Sequence, residues 1–266
     1  MKKIKFIPLI LIAIALITTS CAIDDDDALV PANITTKTVS FADAEIFVPS
    51  SATPFDLSVF VDQAFGTSAL VEYTMNGAAD GTTIRFGNTV GNIPVDVSEN
   101  GSVIYVTLTN VSVLNKPDTV DAVIAADNKT VKIIVLDTPA TNPSALQVVL
   151  SWDNGASDDL DLYITVDPPS NPAANWLERS WTVTPIEMVS FDTFNSDGTY
   201  NVLVDDTYNF SPSSDQVGIY LAVVHTDGTI EYFSDTITGG SGFYYFVQIE
   251  KVGNAFTLNQ VPATPI

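Results

Sequence analysis

Two kinds of hydrophobic pattern follow one another along the chain. Phe6 to Ile17 is a short run, apolar except for Pro8. From Thr38 onward apolar and polar residues alternate instead in brief stretches, among them Phe55–Val61, Ala69–Met75, Ser102–Leu108, Asp121–Ala125 and Thr130–Leu136. A period of two puts the apolar set on one side of an extended chain, so each stretch predicts a half-buried strand. Asn76-Gly77, Asp80-Gly81, Asn100-Gly101 and Asp127-Asn128 separate them as turn signals. Asp137 to Pro143 (DTPATNP) breaks the pattern with two prolines and no apolar period. A second series then runs from about Leu146 to Leu258, and its clearest unit is Gly218–Phe233, two β-rich arms around Asp227-Gly228. Val, Ile, Thr, Tyr and Phe are abundant and long amphipathic runs are scarce, so the chain is expected to be all-β.

The organisation that follows is two tandem β-sandwich domains, the first immunoglobulin-like over 37–137 and the second over 145–266, with 138–144 as linker. Within the first, Val71–Phe86 (VEYTMNGAADGTTIRF) resembles the Calx-beta repeat, a likeness that assigns no residue roles.

The leading apolar run changes the picture at the N-terminus. Lys2, Lys3 and Lys5 precede it, Thr18-Thr19-Ser20 end it, and Cys21, the single cysteine, comes next. These are the three parts of a secretory signal peptide over 1–20. The run is too short for a spanning helix of about 20 residues. Cleavage before Cys21 would free its thiol and amine for acylation, and the stretch resembles a bacterial lipoprotein signal. Ser20 fits that resemblance, whereas Thr18 stands where leucine is usual. The alternative is a buried or reactive free thiol. Two or three acyl chains, at about 0.8 kcal/mol per buried CH₂, hold a protein on a membrane. Asp24 to Asp27 resemble the export signal by which Bacteroidota carry lipoproteins to the outward face of the outer membrane; otherwise they are a self-repelling spacer. Residues 21–36 are thus read as a lipidated acidic tether.

Charge narrows the partners. The full chain carries net −22, and removing residues 1–20 takes away three lysines and no acid, leaving 7 basic against 32 acidic side chains, net −25. Nucleic acid is excluded as a partner, because counterion release needs basic side chains. Cations are favoured.

The segment that speaks most to chemistry is LQVVLSWDNGASDDLDLYITVDPP, Leu146–Pro169. With Asp159–Val166 as a strand, Leu160, Leu162, Ile164 and Val166 face the core while Asp159, Asp161, Tyr163 and Thr165 take the other side. Asp159 and Asp161 then lie roughly 6 to 7 Å apart, with Asp158 adjacent and Asp153 at the start of the preceding loop. Like charges this close repel, and calcium, which takes six to eight oxygens, would reverse the sign. The alternative is a solvated acidic face. The segment, together with FNSDGTYNVLV (Phe194–Val204), resembles the bacterial pre-peptidase C-terminal domain and related secreted β-domains over about 120 residues. The resemblance implies a jelly-roll-like sandwich without chemistry of its own, often with calcium at the aspartate-rich turn, to which Asp153, Asp159 and Asp161 correspond. Asp167-Pro168-Pro169 and the insertion after it depart from the family's usual turn.

Other signals are weaker. His225 is the single histidine, and Gly239-Gly240-Ser241-Gly242 lacks nucleophile-elbow spacing, so neither a Ser-His-Asp triad nor a zinc site is expected. Trp152 follows an apolar strand and reads as core, while Trp176 lies in a polar, proline-rich insertion where a sugar-binding residue would sit. Trp181 and Phe243-Tyr244-Tyr245-Phe246 are further aromatics for such a platform or for the core. Asp118-Thr119-Val120 and Asp235-Thr236-Ile237 resemble the O-glycan acceptor sequence of Bacteroidota. The combined expectation is an outer-membrane lipoprotein facing outward, not an enzyme, that serves as a binding or adhesion module for a glycan or another surface protein; the alternatives are a glycan-binding accessory protein of a polysaccharide-uptake system and a hydrolase with an unrecognised carboxylate pair. Calcium at Asp153, Asp158, Asp159 and Asp161 and a glycan at Trp176 are the candidate ligands.

Overall fold

Alternation in the sequence becomes strand wherever the apolar set finds a facing sheet. The computed structural model describes residues 34–115, 120–153, 159–166, 175–206, 216–238 and 242–266. Cys21, Asp158, Asp118-Thr119 and the Gly239–Ser241 stretch lie outside them. The described residues form strands and no helical element, arranged as four sheets in two tandem sandwiches.

The first sandwich pairs a four-stranded sheet with a five-stranded one. The former holds β1 (Thr35–Ser40), β3 (Phe55–Val61), β6 (Val90–Val95) and β8 (Val120–Ile124) in the order β6-β3-β1-β8. The latter holds β2 (Glu45–Val48), β4 (Ala69–Met75), β5 (Ala78–Ile84), β7 (Val103–Val113) and β9 (Thr130–Val135) in the order β2-β9-β7-β4-β5. β1 and β2 are consecutive yet sit in opposite sheets, each parallel to a late strand, β8 and β9. Val39, Val59, Val71, Ile93, Val106 and Ile133 meet between the sheets without solvent contact, each contributing about 1.5–3 kcal/mol by burial.

Asn76 (φ 47°) and Gly77 (φ 85°) close β4 onto β5 in the two-residue, left-handed geometry that Asn-Gly favours. Asp80-Gly81, expected as a turn, instead lies inside β5, where Gly81 pairs with Glu72. Once Asn76-Gly77 sets the register, the ladder runs through the second pair unbroken.

The second sandwich stacks β10 (Ala145–Trp152), β13 (Ile186–Asp192), β15 (Gln216–Val224) and β16 (Ile230–Thr238), ordered β13-β10-β15-β16, on a five-stranded sheet. That sheet holds β11 (Asp161–Val166), β12 (Trp176–Ser180), β14 (Gly198–Asp206), β17 (Gly242–Val252) and β18 (Ala255–Pro265) in the order β12-β11-β14-β17-β18. All of its pairs are antiparallel. Leu146, Val148, Leu150 and Trp152 interlock in the core with Leu160, Leu162 and Ile164.

β10 is buried along its whole length, on both faces. Its inward face serves the sandwich core. Its other face, with Val149 beside Tyr220 and Ala222 of β15, packs against Ile134 and Leu136 of the first domain. Phe47 of β2 stacks on Tyr232 (centroids 4.5 Å, 19°) and meets Tyr220 edge-on (6.4 Å, 73°). Lys132 joins Glu45 (2.6 Å) and lies 4.7 Å from the Tyr220 ring centroid. The connection is held too: Asp137 accepts from Ser50 N (2.7 Å) and Ser50 Oγ (2.8 Å), and Thr193 N donates to Ser144 O (2.9 Å).

Candidate functional site

Asp161 opens β11 and pairs across the ladder with Asp205 of β14, followed by Tyr163 opposite Leu203 and Thr165 opposite Asn201. The alternation read from the sequence is right, since Leu160, Leu162 and Ile164 lie in the core. The far side is not the solvated face considered as the alternative, because Asp161 is 4% exposed and Asp205 is 4%. Val166, expected in the core, is 44% exposed because it ends the strand. The Tyr163 hydroxyl donates to Asp161 Oδ2 (3.4 Å). Burial, then the charges of Asp205, Asp159 and Glu187, push the Asp161 carboxyl up to about 7. Burial and Asp161 likewise raise Tyr163.

The four aspartates expected around one turn have different surroundings. Asp153 follows β10 at the junction between the domains, accepting from Tyr220 Oη (2.7 Å) and Tyr105 Oη (3.3 Å). Asp159 and Asp161 remain neighbours, and Asp205, not anticipated from the sequence, joins them. Its signal was available: Asp205-Asp206 end a strand whose antiparallel pairing with β11 brings that end back to Asp161. Among the described residues no three Asp, Glu, His or Cys side chains form a group that could hold a metal ion. Asp159, Asp161 and Asp205 are electrostatic neighbours that do not make up such a group.

β12, the edge strand beside β11, brings two exposed tryptophans together, Trp176 on the strand and Trp181 just after it. Arg179 pairs with Tyr163 and Trp176 with Thr165, with a bulge between them, so Trp176 and Arg179 share the outer face. The Arg179 guanidinium carbon lies 3.3 Å from the Trp181 ring centroid and 4.2 Å from that of Trp176. Trp176 is 38% exposed and Trp181 57%, while Trp152 is core at 1%. Spacings of three and then two hide this row in the sequence, because only the bulge returns Trp176 to the side of Arg179.

Just beyond, Trp181 begins the loop to β13, which is held from beneath by Glu187. This buried carboxylate accepts from Thr182 N (2.8 Å), Thr182 Oγ1 (2.6 Å) and the Ser180 hydroxyl. The 243–246 aromatics do not extend the row into an open platform, since Tyr244 and Phe246 turn into the core and Phe243 and Tyr245 are half-buried.

His225 Nε2 meets Glu231 Oε1 at 2.7 Å beside the β15–β16 turn. His225, Asp227, Asn254 and Phe256 line a cleft of about 540 Å³ at that end of the sandwich. Asp235 accepts from Thr236 N (2.8 Å) and Ala263 N (2.6 Å), and Ile237 is buried.

No family model matches the chain, and no curated protein matches its sequence. Among solved structures it is similar to CBD12 from CALX1.2, at 12% identity over 63% of this chain and 79% of that one, with TM-score 0.30. It is also similar to the calcium binding domain CBD12 of CALX1.1, at 10% identity over 69% and 79%, TM-score 0.29. The E. coli chaperone DraB matches at 10% identity over 76% and 98%, TM-score 0.23. These likenesses bring no residue roles with them.

Proposed function

We propose that the chain is a non-catalytic binding module, anchored through acyl chains on Cys21 to the outer membrane and facing outward, and that its ligand is a carbohydrate. The observation that carries this reading is the pair of exposed indoles at the edge of the sheet, Trp176 on β12 and Trp181 just after it, with half-buried Arg179 between them. Exposed indoles set side by side around a stacked cation offer flat apolar faces, which suit the C–H faces of sugar rings and would otherwise cost free energy in water. Support for a non-catalytic role comes from the acids themselves: Asp161 and Asp205 face each other across the ladder and are both buried. Affinity electrophoresis of the full chain against a panel of polysaccharides tests the reading, with retention expected for wild type and lost in Trp176→Ala and Trp181→Ala. Mobility unchanged by every polysaccharide would overturn it.

Calcium is the second element of the proposal. Asp159 and Asp161 would contribute oxygens, with the rest of the shell coming from other than the described carboxylates, and a bound cation would relieve the repulsion between Asp161 and Asp205. Binding to the native state alone at about 100 times the dissociation constant adds about 2.7 kcal/mol. Melting in calcium is therefore expected above melting in chelator, with the difference abolished in the double variant Asp159→Asn, Asp161→Asn.

A further inference from the structure

We infer that the carbohydrate taken by the β12 row is an acidic one, whose carboxylate binds the edge of the Arg179 guanidinium while its ring lies against Trp181; this rests on the carbohydrate reading above. Arg179 and Lys251 are the basic side chains among the described residues of the second sandwich. Lys251 is 2% exposed and is held by Gly253 O (2.6 Å) and Asp197 Oδ1 (3.3 Å). Arg179 makes no ion pair with a described carboxylate. Instead, its guanidinium lies over the rings of Trp181 and Trp176. A guanidinium carries its N–H donors in its own plane, in the fork that matches a carboxylate, and contact with an aromatic ring does not consume them. A cation whose side-chain entropy is already lost binds an anion at less cost than a free lysine would.

Among the described carboxylates, none is within ion-pair distance of Arg179. Glu178 follows the register of Ile164, on the side of the strand opposite Arg179, and burial and Asp192 raise its carboxyl above the usual range. Asp161, on the outer face, is buried and raised to about 7. More distant acids are screened beyond about 8 Å at physiological ionic strength. Trp181, at 57% exposed, still has indole surface turned to water for a sugar ring.

The test is affinity electrophoresis of the full chain in gels containing polygalacturonate, its fully methyl-esterified form, or dextran. Polygalacturonate is expected to retard wild type most. Arg179→Gln should weaken that retardation roughly tenfold or more, the scale of one lost charge-assisted hydrogen bond, and Arg179→Lys should restore only part of it. Circular dichroism of each variant confirms the fold. If the acid and the ester retard the protein equally, and Arg179→Gln changes neither while Trp181→Ala abolishes both, the acidic specificity is overturned and the carbohydrate reading survives. If no polysaccharide retards wild type, both fall.

Discussion

Asp161 is a carboxyl group taken out of water and set opposite another. With its pKa raised from 3.8 to about 7 in the folded chain, the native state holds a proton that the unfolded chain releases near the ordinary value. The contribution to stability is therefore fully present below about pH 4 and lost as pH climbs to about 7, with no further change above. Melting of the metal-free protein should fall across that window, and Asp161→Asn, which carries no charge to lose, should flatten the decline. Bound calcium reverses the slope, because a cation competes with protons for the carboxylates; melting temperatures at pH 5 and 7, with calcium and with chelator, separate the two cases. Gly218 is a second residue whose surroundings leave no room. A Cβ there would collide with the Tyr220 hydroxyl and Asp153 Oδ2, the pair that hydrogen-bonds at 2.7 Å. Gly218→Ala should destabilise by about 1–3 kcal/mol through overpacking, read as a lower urea midpoint.

At the scale of elements, the loop from β12 to β13 depends on one buried acid. Glu187 sits on the inner side of β13 with Val189 and Phe191, where alternation alone would place an apolar residue. Glu187→Ala removes the acceptor for the Thr182 amide and hydroxyl and for Ser180, at a cost of about 1–3 kcal/mol for buried donors left unpaired. Trp181 borders that loop, so the variant should also lose retention on polysaccharide gels, whereas Glu187→Gln, which keeps a carbonyl acceptor, should retain part of it. Elements like these differ in how far the sequence discloses them. β3 and β4 occupy the bounds their alternation predicts, Phe55–Val61 and Ala69–Met75, because each has one face to the core and one to water. β10 and β15 also announce themselves as strands, but not that both faces are covered, since the cover on the second comes from another domain. The same reason conceals the burial of Asp161, whose alternation gives the side it points to and not what lies over it. Local periodicity carries no information about a bulge either, and so Trp176, Arg179 and Trp181 do not read as one row until the strand is paired.

At the scale of the whole molecule, the two sandwiches are joined through a buried contact. The outer face of β10 and β15 presents Val149, Tyr220 and Ala222, all 2% exposed or less, and Ile134 and Leu136 of the first domain help to cover them. Without that cover the second sandwich would expose an apolar sheet face, so its stability includes a contribution made by the first. Phe47 isolates this contribution, because it belongs to β2 yet stacks on Tyr232 and meets Tyr220 across the junction. All three tryptophans, Trp152, Trp176 and Trp181, belong to the second sandwich, so intrinsic tryptophan fluorescence reports on that domain alone. Phe47→Ala is a change in the first domain. It removes one stacked and one edge contact of about 0.5–1.5 kcal/mol each beyond area burial, and the tryptophan-detected urea midpoint should fall by an amount equal to about 1–3 kcal/mol. A midpoint unchanged by Phe47→Ala would mean that the sandwiches fold independently and that the junction carries no stability. A fall in that midpoint, together with one transition seen by tryptophan fluorescence and by far-ultraviolet circular dichroism, would establish a single cooperative unit that presents the β12 row from a rigid base.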